Sequence, residues 1–337
     1  MPDHILEVEN LTVDIPVPGG VLHAVQGTNF QVARGETLCI VGESGCGKSL
    51  ASLAIMDLLP QKAIRSADKL ELDGLSILGV GERHMSDIRG ERMGMIFQEP
   101  MTSLNPSYTI GNQLEEAMLR HRNVSREEAR NRAVFLLEKV GITAARSRLS
   151  QYPHQLSGGL RQRVMIAMTL MCGPDLIIAD EPTTALDVTI QAQILLLLAE
   201  LQQEFQMGLI LITHDLGVVA RVADRVAVMY AGQIVEEGAA KQVFENPTHP
   251  YTQGLLECIP IPGKTKRGAH LGSIPGIVPS LVGDLRGCRF SDRCEYATSP
   301  CSADDVVLTN GVEIGHKYRC LLGIEQCAEN LRRRLPV

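Results

Sequence analysis

Eight residues constrain this chain more than any others. Gly42-Glu43-Ser44-Gly45-Cys46-Gly47-Lys48-Ser49 fits the pattern G-x-x-x-x-G-K-[ST] at every fixed position, and its flanks supply the context that pattern requires. Before it lies Leu38 to Val41 (LCIV), a continuous apolar run that predicts a strand buried on both faces. After it comes SLASLAIMDLL, which reads as a helix. Glycines let successive backbone N–H groups curl around phosphate oxygens, and the positive end of the following helix adds to the attraction. Lys48 is expected to neutralise β and γ phosphates and Ser49 to ligate Mg²⁺, so the expected ligand is ATP. A chance glycine-rich turn does not explain the strand before it and the helix after it.

Other strand-like runs, Met93 to Phe97, Leu176 to Ala179 and Leu209 to Thr213, alternate with helical stretches such as Arg126 to Val140 and Thr189 to Phe205. That alternation predicts an α/β domain with a parallel sheet. From Ile5 to Glu36, short alternating segments predict antiparallel strands broken at Pro16, Pro18 and Gly19-Gly20. Val226 to Val235 resembles a hairpin turning at Ala231-Gly232. After about Pro247 the texture changes, with Pro260, Pro262, Gly263, Pro275, Gly276 and Pro279 close together. The expected organisation is a domain over 1–247, with a helical subdomain over about 100–172, and a C-terminal domain over 248–337.

Composition narrows the class. A net charge of −7 argues against a dedicated nucleic-acid binder, which normally shows a basic face. The strongest apolar run, Ile194 to Ala199, is far short of the roughly 18 residues a membrane span needs. MPDHILEVEN lacks the basic start and apolar block of a secretory signal. A cytoplasmic chain that reaches a membrane only through partner subunits is expected.

Leu176-Ile-Ile-Ala-Asp180-Glu181 is an apolar run ending in two carboxylates. A strand buried on both faces presents acids only at its tip. Asp180 suits a place near Mg²⁺, leaving Glu181 to polarise an attacking water as general base. A solvated strand end is the plainer alternative. Ser157 is a natural N-cap for the helix opening at Leu156-Ser157-Gly158-Gly159-Leu160-Arg161-Gln162-Arg163 and running toward Cys172. Gly158 and Gly159 expose backbone donors at its positive end, although glycine there costs about 1 kcal/mol. A second phosphate-binding device beside a single nucleotide loop is most simply explained if two chains share each nucleotide.

The order of Gly42–Ser49, Gln98, LSGGLRQR, LIIADE, Thr184-Ala-Leu-Asp187 and His214 resembles the nucleotide-binding subunits of ABC transporters over residues 1 to about 245. The resemblance implies a P-loop ATPase with an antiparallel β subdomain and an α-helical signature subdomain. It implies two such domains closing head to tail on two ATPs, each signature serine facing the other's phosphate loop. Gln98 is then expected to sense Mg²⁺ and couple to membrane subunits, Asp187 to lie at the dimer seam, and His214 to contact the γ-phosphate. The family usually stacks an aromatic side chain on adenine; the matching position here is Ile15, so aliphatic or weaker packing of the base is expected.

MTSLNP (Met101 to Pro106), His249-Pro-Tyr-Thr-Gln-Gly-Leu-Leu256, IPGIVPSL and GCRFSDRC together resemble the dipeptide, oligopeptide and nickel importer ATPases, closest to the dipeptide-importer D type. The implied assembly is a heterodimer with a second, homologous ABC ATPase on two transmembrane permeases at the cytoplasmic face of the bacterial inner membrane. An extracytoplasmic solute-binding protein would feed it. Relatives handling nickel, glutathione or cell-wall peptides share much of this pattern. A soluble ABC protein acting on ribosomes or DNA, and a scaffold subunit that binds ATP without cleaving it, are the alternatives of other classes.

Nine cysteines without a signal segment point away from a disulfide framework. Four of them, Cys288, Cys294, Cys301 and Cys320, form a group that lacks the C-x-x-C pairs of zinc sites. Four thiolates suit a [4Fe–4S] cluster, although the spacing matches neither standard ferredoxin run. Some importer relatives carry such a cluster in a similar tail. The expectation is an iron–sulfur cluster stapling a core-poor tail, with reduced structural thiols and zinc left open.

Overall fold

A computed structural model of the chain describes residues 4–98, 103–183, 186–258, 272–283, 285–303, 305–311 and 313–334. Met101 and Thr102 of MTSLNP, Thr184 and Ala185, and Pro260, Pro262 and Gly263 lie outside the described residues. The chain forms two compact units: residues 1–7, 31–37 and 71–212, and residues 8–30, 38–70 and 213–337.

Three parallel strands organise the first unit. Leu176–Asp180 lies between Met93–Ile96 and Gly208–Ile212, in register from Met93 opposite Leu176 to Asp180 opposite Ile212. Every residue of the three is buried, as expected for apolar runs without alternation. Helices Ile110–His121, Arg126–Lys139 and Gly158–Thr169 bury Leu114, Ala133, Leu137 and Met165. Local chemistry sets their starts. Thr109 accepts from the Asn112 amide at 3.3 Å, while Ser125 and Glu128 cap each other reciprocally at 3.2 and 2.7 Å. The helix expected to reach Cys172 closes at Thr169, and Leu170 caps it. Met171 and Cys172 are buried in the turn that follows, where apolar character marks packing and not helix.

In the second unit, the strand Thr37–Val41 runs parallel to Arg225–Tyr230, Leu38 facing Arg225 and Val41 facing Val228. Arg225–Tyr230 continues into Gln233–Ala239 as an antiparallel hairpin. Its two turn residues, Ala231 and Gly232, have φ of 46° and 84°, the mirror-image geometry that matches strand twist. The long strand His4–Val17 carries Pro16 inside it, and Thr12 to Asp14 pair antiparallel with Ser66 to Ile64. Pro16 is exposed at the strand's end, where its missing N–H is tolerated. The helix after the glycine-rich loop spans only Lys48–Ile55, because Asp57 turns left-handed at φ 55°.

The C-terminal residues build onto this same unit. Lys317–Tyr318 pairs antiparallel with Gln233–Ala239, Tyr318 opposite Glu236, and Thr309–Asn310 pairs with Lys317–Tyr318. Val282 bridges Leu22 antiparallel. Glu236, 0% exposed, accepts from the amides of Thr248 and His249 at 2.7 and 2.9 Å and from His316 Nε2 at 2.8 Å. One carboxylate therefore ties the hairpin, the turn before helix Pro250–Glu257 and the C-terminal segment together. Glu236→Ala leaves three buried donors without an acceptor. It is expected to cost about 3–5 kcal/mol in chemical denaturation of the purified chain. The exposed Glu245→Ala, which breaks only a 4.0 Å pair with Lys241, is expected to change stability by less than about 1 kcal/mol.

Candidate functional site

The glycine-rich loop lies in the second unit, where two of its glycines have no room for a side chain. A Cβ on Gly42 would sit 2.1 Å from the Met229 carbonyl oxygen, and one on Gly47 would sit 2.4 Å from that of Ala24. Gly47 also has φ 102° and caps helix Lys48–Ile55 with no side-chain bond. Lys48, 5% exposed, donates from Nζ to the carbonyls of Gly42 and Glu43 at 2.9 Å each, so its ammonium lies inside the loop. Burial pushes the neighbouring Cys46 thiol up, which keeps it neutral beside that ammonium. Ser49 begins the helix one residue on.

Glu43 has partners that the sequence gave no reason to expect. Its amide donates to the Tyr251 hydroxyl at 2.9 Å, and its carboxylate accepts from Arg293 Nη1 and Nη2 at 2.8 and 3.1 Å. Both partners fall in segments legible only as subfamily markers, His249 to Leu256 and Cys288 to Cys294. No spacing rule connects them to a loop 208 and 250 residues earlier.

His214 is exposed, two residues past the end of Gly208–Ile212. The next residue, Asp215, caps Leu216–Val222 by accepting from the Val218 amide at 3.2 Å. Ile15 is half-buried on His4–Val17.

In the first unit the acidic strand end takes a definite shape. Asp180 closes its strand at 5% exposure. Glu181 turns left-handed at φ 42°, a conformation that costs a non-glycine residue on the order of 1 kcal/mol. Its amide donates to the Ile212 carbonyl at 2.9 Å, and its own carbonyl accepts from Thr183 at 2.7 Å. These two bonds hold the turn at the end of the strand. Gln98 Nε2 donates to Glu181 Oε2 at 3.1 Å, so two residues 83 positions apart share one bond.

Ser157 is exposed and caps Gly158–Thr169, accepting from the Leu160 amide at 3.4 Å. A notional Cβ on Gly158 would meet Leu186 Cδ2 at 3.5 Å, an ordinary contact, and one on Gly159 would meet Ile190 Cγ2 more tightly, at 3.3 Å. The serine–diglycine turn therefore packs beside the start of Val188–Phe205, whose N-cap is the exposed Asp187.

Cys288, Cys294, Cys301 and Cys320 all line one small cavity of about 10 Å³, with Phe290 and Leu322 among its apolar walls. That is about the room one water needs. Burial pushes Cys294 up to about 11 and Cys288 up as well, whereas a hydrogen bond from Cys327 brings Cys320 down. The donor chemistry suits a soft metal. Among the described residues, however, no three His, Cys, Asp or Glu side chains converge to hold a metal ion. The expected [4Fe–4S] cluster is therefore not supported by the arrangement: the sulfurs share a cavity without forming a ligand set.

Among the described residues no helix is long and apolar enough to cross a membrane. The chain matches the ABC transporter family model over residues 25–184 and the model for the oligopeptide/dipeptide transporter C-terminal region over 235–301. It is 51% identical over 300 residues to the dipeptide transport ATP-binding protein DppD of Bacillus subtilis, covering 89% of each chain. Its identity to the protein of the same name in Escherichia coli is 48% over 316 residues, covering 94% of this chain and 96% of that one. Among solved structures it resembles a dimeric ATP-binding cassette in a post-hydrolysis state bound to ADP and Pi. There the TM-score is 0.62 at 27% identity, over 70% of this chain and 98% of the other. The α/β fold with its antiparallel and helical parts, the glycine-rich loop and the paired matches agree: the chain belongs to the ABC transporter ATP-binding proteins, in the branch that carries the oligopeptide/dipeptide transporter C-terminal region.

Proposed function

We propose that this chain is the ATP-hydrolysing subunit of an importer that carries di- or oligopeptides across the cytoplasmic membrane. The observation that carries the reading is the presence, in one chain, of the ABC match and the peptide-transporter C-terminal match, with peptide-import relatives similar over nearly the full length. Residues 1–247 would form the nucleotide-binding domain and 248–337 the importer-type C-terminal domain. The partners are a homologous ATPase, two permeases and an extracytoplasmic binding protein, with the chain peripheral on the inner face of the membrane.

The proposed chemistry divides among named groups. Backbone amides of Gly42–Ser49 and the Lys48 ammonium would hold the phosphates, while Ser49, Gln98 and Asp180 would hold Mg²⁺, which would supply positive charge for phosphoryl transfer. Glu181 takes a proton from the attacking water, oriented by its bond from Gln98. His214 donates to the γ-phosphate. Ser157, Gly158 and Gly159 present their helix end to the nucleotide of the partner ATPase, with Asp187 at the seam. The left-handed Glu181 backbone supports the catalytic role, since strain of this kind collects at reacting groups.

For the four-cysteine cavity, the iron–sulfur reading retains only the donor chemistry in its favour. Metal and acid-labile sulfide analysis after anaerobic purification tests it. About four of each per chain carries the reading, and metal-free protein with four titratable thiols reduces the cavity to packed thiols.

Two activity measurements follow. Glu181→Gln in the assembled transporter is expected to keep equilibrium ATP binding and lose at least about 100-fold in turnover; wild-type turnover would remove Glu181 from the role of base. Ser157→Glu is expected to leave ATP binding to the isolated chain unchanged, because the serine serves the partner's nucleotide. The same variant should reduce transporter turnover by roughly 100-fold through repulsion between its carboxylate and the phosphates. Weakened binding in the isolated chain contradicts that division. The peptide assignment itself is tested by whether a peptide-loaded binding protein stimulates ATP turnover of the reconstituted complex.

A further inference from the structure

We propose that Arg293, which comes from the cysteine-bearing C-terminal region, is a positioning residue for the nucleotide: it neutralises Glu43 and holds the phosphate-binding loop in shape. The proposal rests on reading Gly42–Ser49 as the ATP loop. The geometry is complete at the guanidinium. Its five N–H groups make five bonds: two to the Glu43 carboxylate at 2.8 and 3.1 Å, one to the Tyr230 hydroxyl at 3.3 Å, and two to the carbonyls of Pro275 and Ile274 at 2.9 and 3.2 Å. The Arg293 side chain is 5% exposed. Its aromatic surroundings are close-packed, with Tyr230 and Tyr251 at 4.5 Å between ring centroids and Phe290 5.3 Å from Tyr230.

Glu43 occupies the first variable position of a loop that must receive three to four negative charges. An unpaired carboxylate there repels the ligand in a partly buried site where screening is weak. A two-pronged guanidinium contact cancels that charge and fixes the carboxylate's direction. The Glu43 amide is held by Tyr251 at the same time, so the loop is gripped at backbone and side chain by two C-terminal groups. Arg293 immediately precedes Cys294, so the same short segment lines the cysteine cavity and grips the loop.

The test is equilibrium ATP binding by the full-length chain, together with KM and kcat in the assembled transporter. Arg293→Met is expected to weaken ATP binding and raise KM on the order of tenfold, with kcat within about twofold. Glu43→Gln added to Arg293→Met should restore binding to within about threefold of wild type, because the uncompensated charge is gone. Unchanged binding in Arg293→Met, or a double variant as weak as Arg293→Met, overturns the proposal. Should Arg293→Met fail to fold, Arg293→Gln, which keeps hydrogen-bond donors but loses the charge, serves with the same partner variant. Wild-type binding abolished by Lys48→Ala must hold throughout; equal binding by wild type and Lys48→Ala refutes the ATP-loop reading itself, whatever Arg293 does.

Discussion

The backbone of Gly42 passes so close to the Met229 carbonyl that any side chain would collide with it. This approach fixes where the phosphate loop leaves its strand. Thr37–Val41 lies in parallel register with Arg225–Tyr230, so the loop starts beside the turn at Ala231-Gly232, and the Gly232 amide of that turn donates to the Cys46 carbonyl at 2.9 Å. From that fixed start, Glu43 meets Tyr251 and Arg293, and Lys48 lies inside the curl. Tertiary contacts from Tyr251 and Arg293 thus hold the loop at Glu43.

The acidic strand end in the first unit follows a related principle with a different instrument. Buried strands can offer polar groups only where they stop, and Leu176–Asp180 stops at Asp180. The left-handed Glu181 then turns the chain sharply, stabilised by backbone bonds to Ile212 and from Thr183. A turn with strained backbone and two satisfied bonds places a carboxylate more narrowly than a flexible loop does. The Gln98 contact adds direction to the carboxylate.

The C-terminal region is held by buried polar contacts more than by a core of its own. Glu236 gathers three donors, and His249, pushed down to about 3 by burial, stays neutral and accepts the Tyr251 amide at 3.0 Å. Such networks are costly to break because every member loses its partner at once. The cysteines share this character: burial keeps Cys288 and Cys294 protonated in the arrangement seen.

The amino-acid sequence by itself determined the α/β class, the glycine-rich loop between strand and helix, the serine-capped diglycine turn and the acidic strand end. Each depends on local chemistry: uninterrupted apolar runs, glycines at fixed intervals, a capping serine, and carboxylates where a buried run stops. Element ends were less legible, as at Thr169 and Ile55, because apolar residues beyond a helix are buried in turns as readily as on a helix face. Only the tertiary structure decided that Gln98 reaches Glu181, that Arg293 pairs with Glu43, and that four cysteines line one cavity without converging. These are contacts across long stretches of chain. They depend on strand register and close backbone approach, neither of which leaves a periodic trace in sequence.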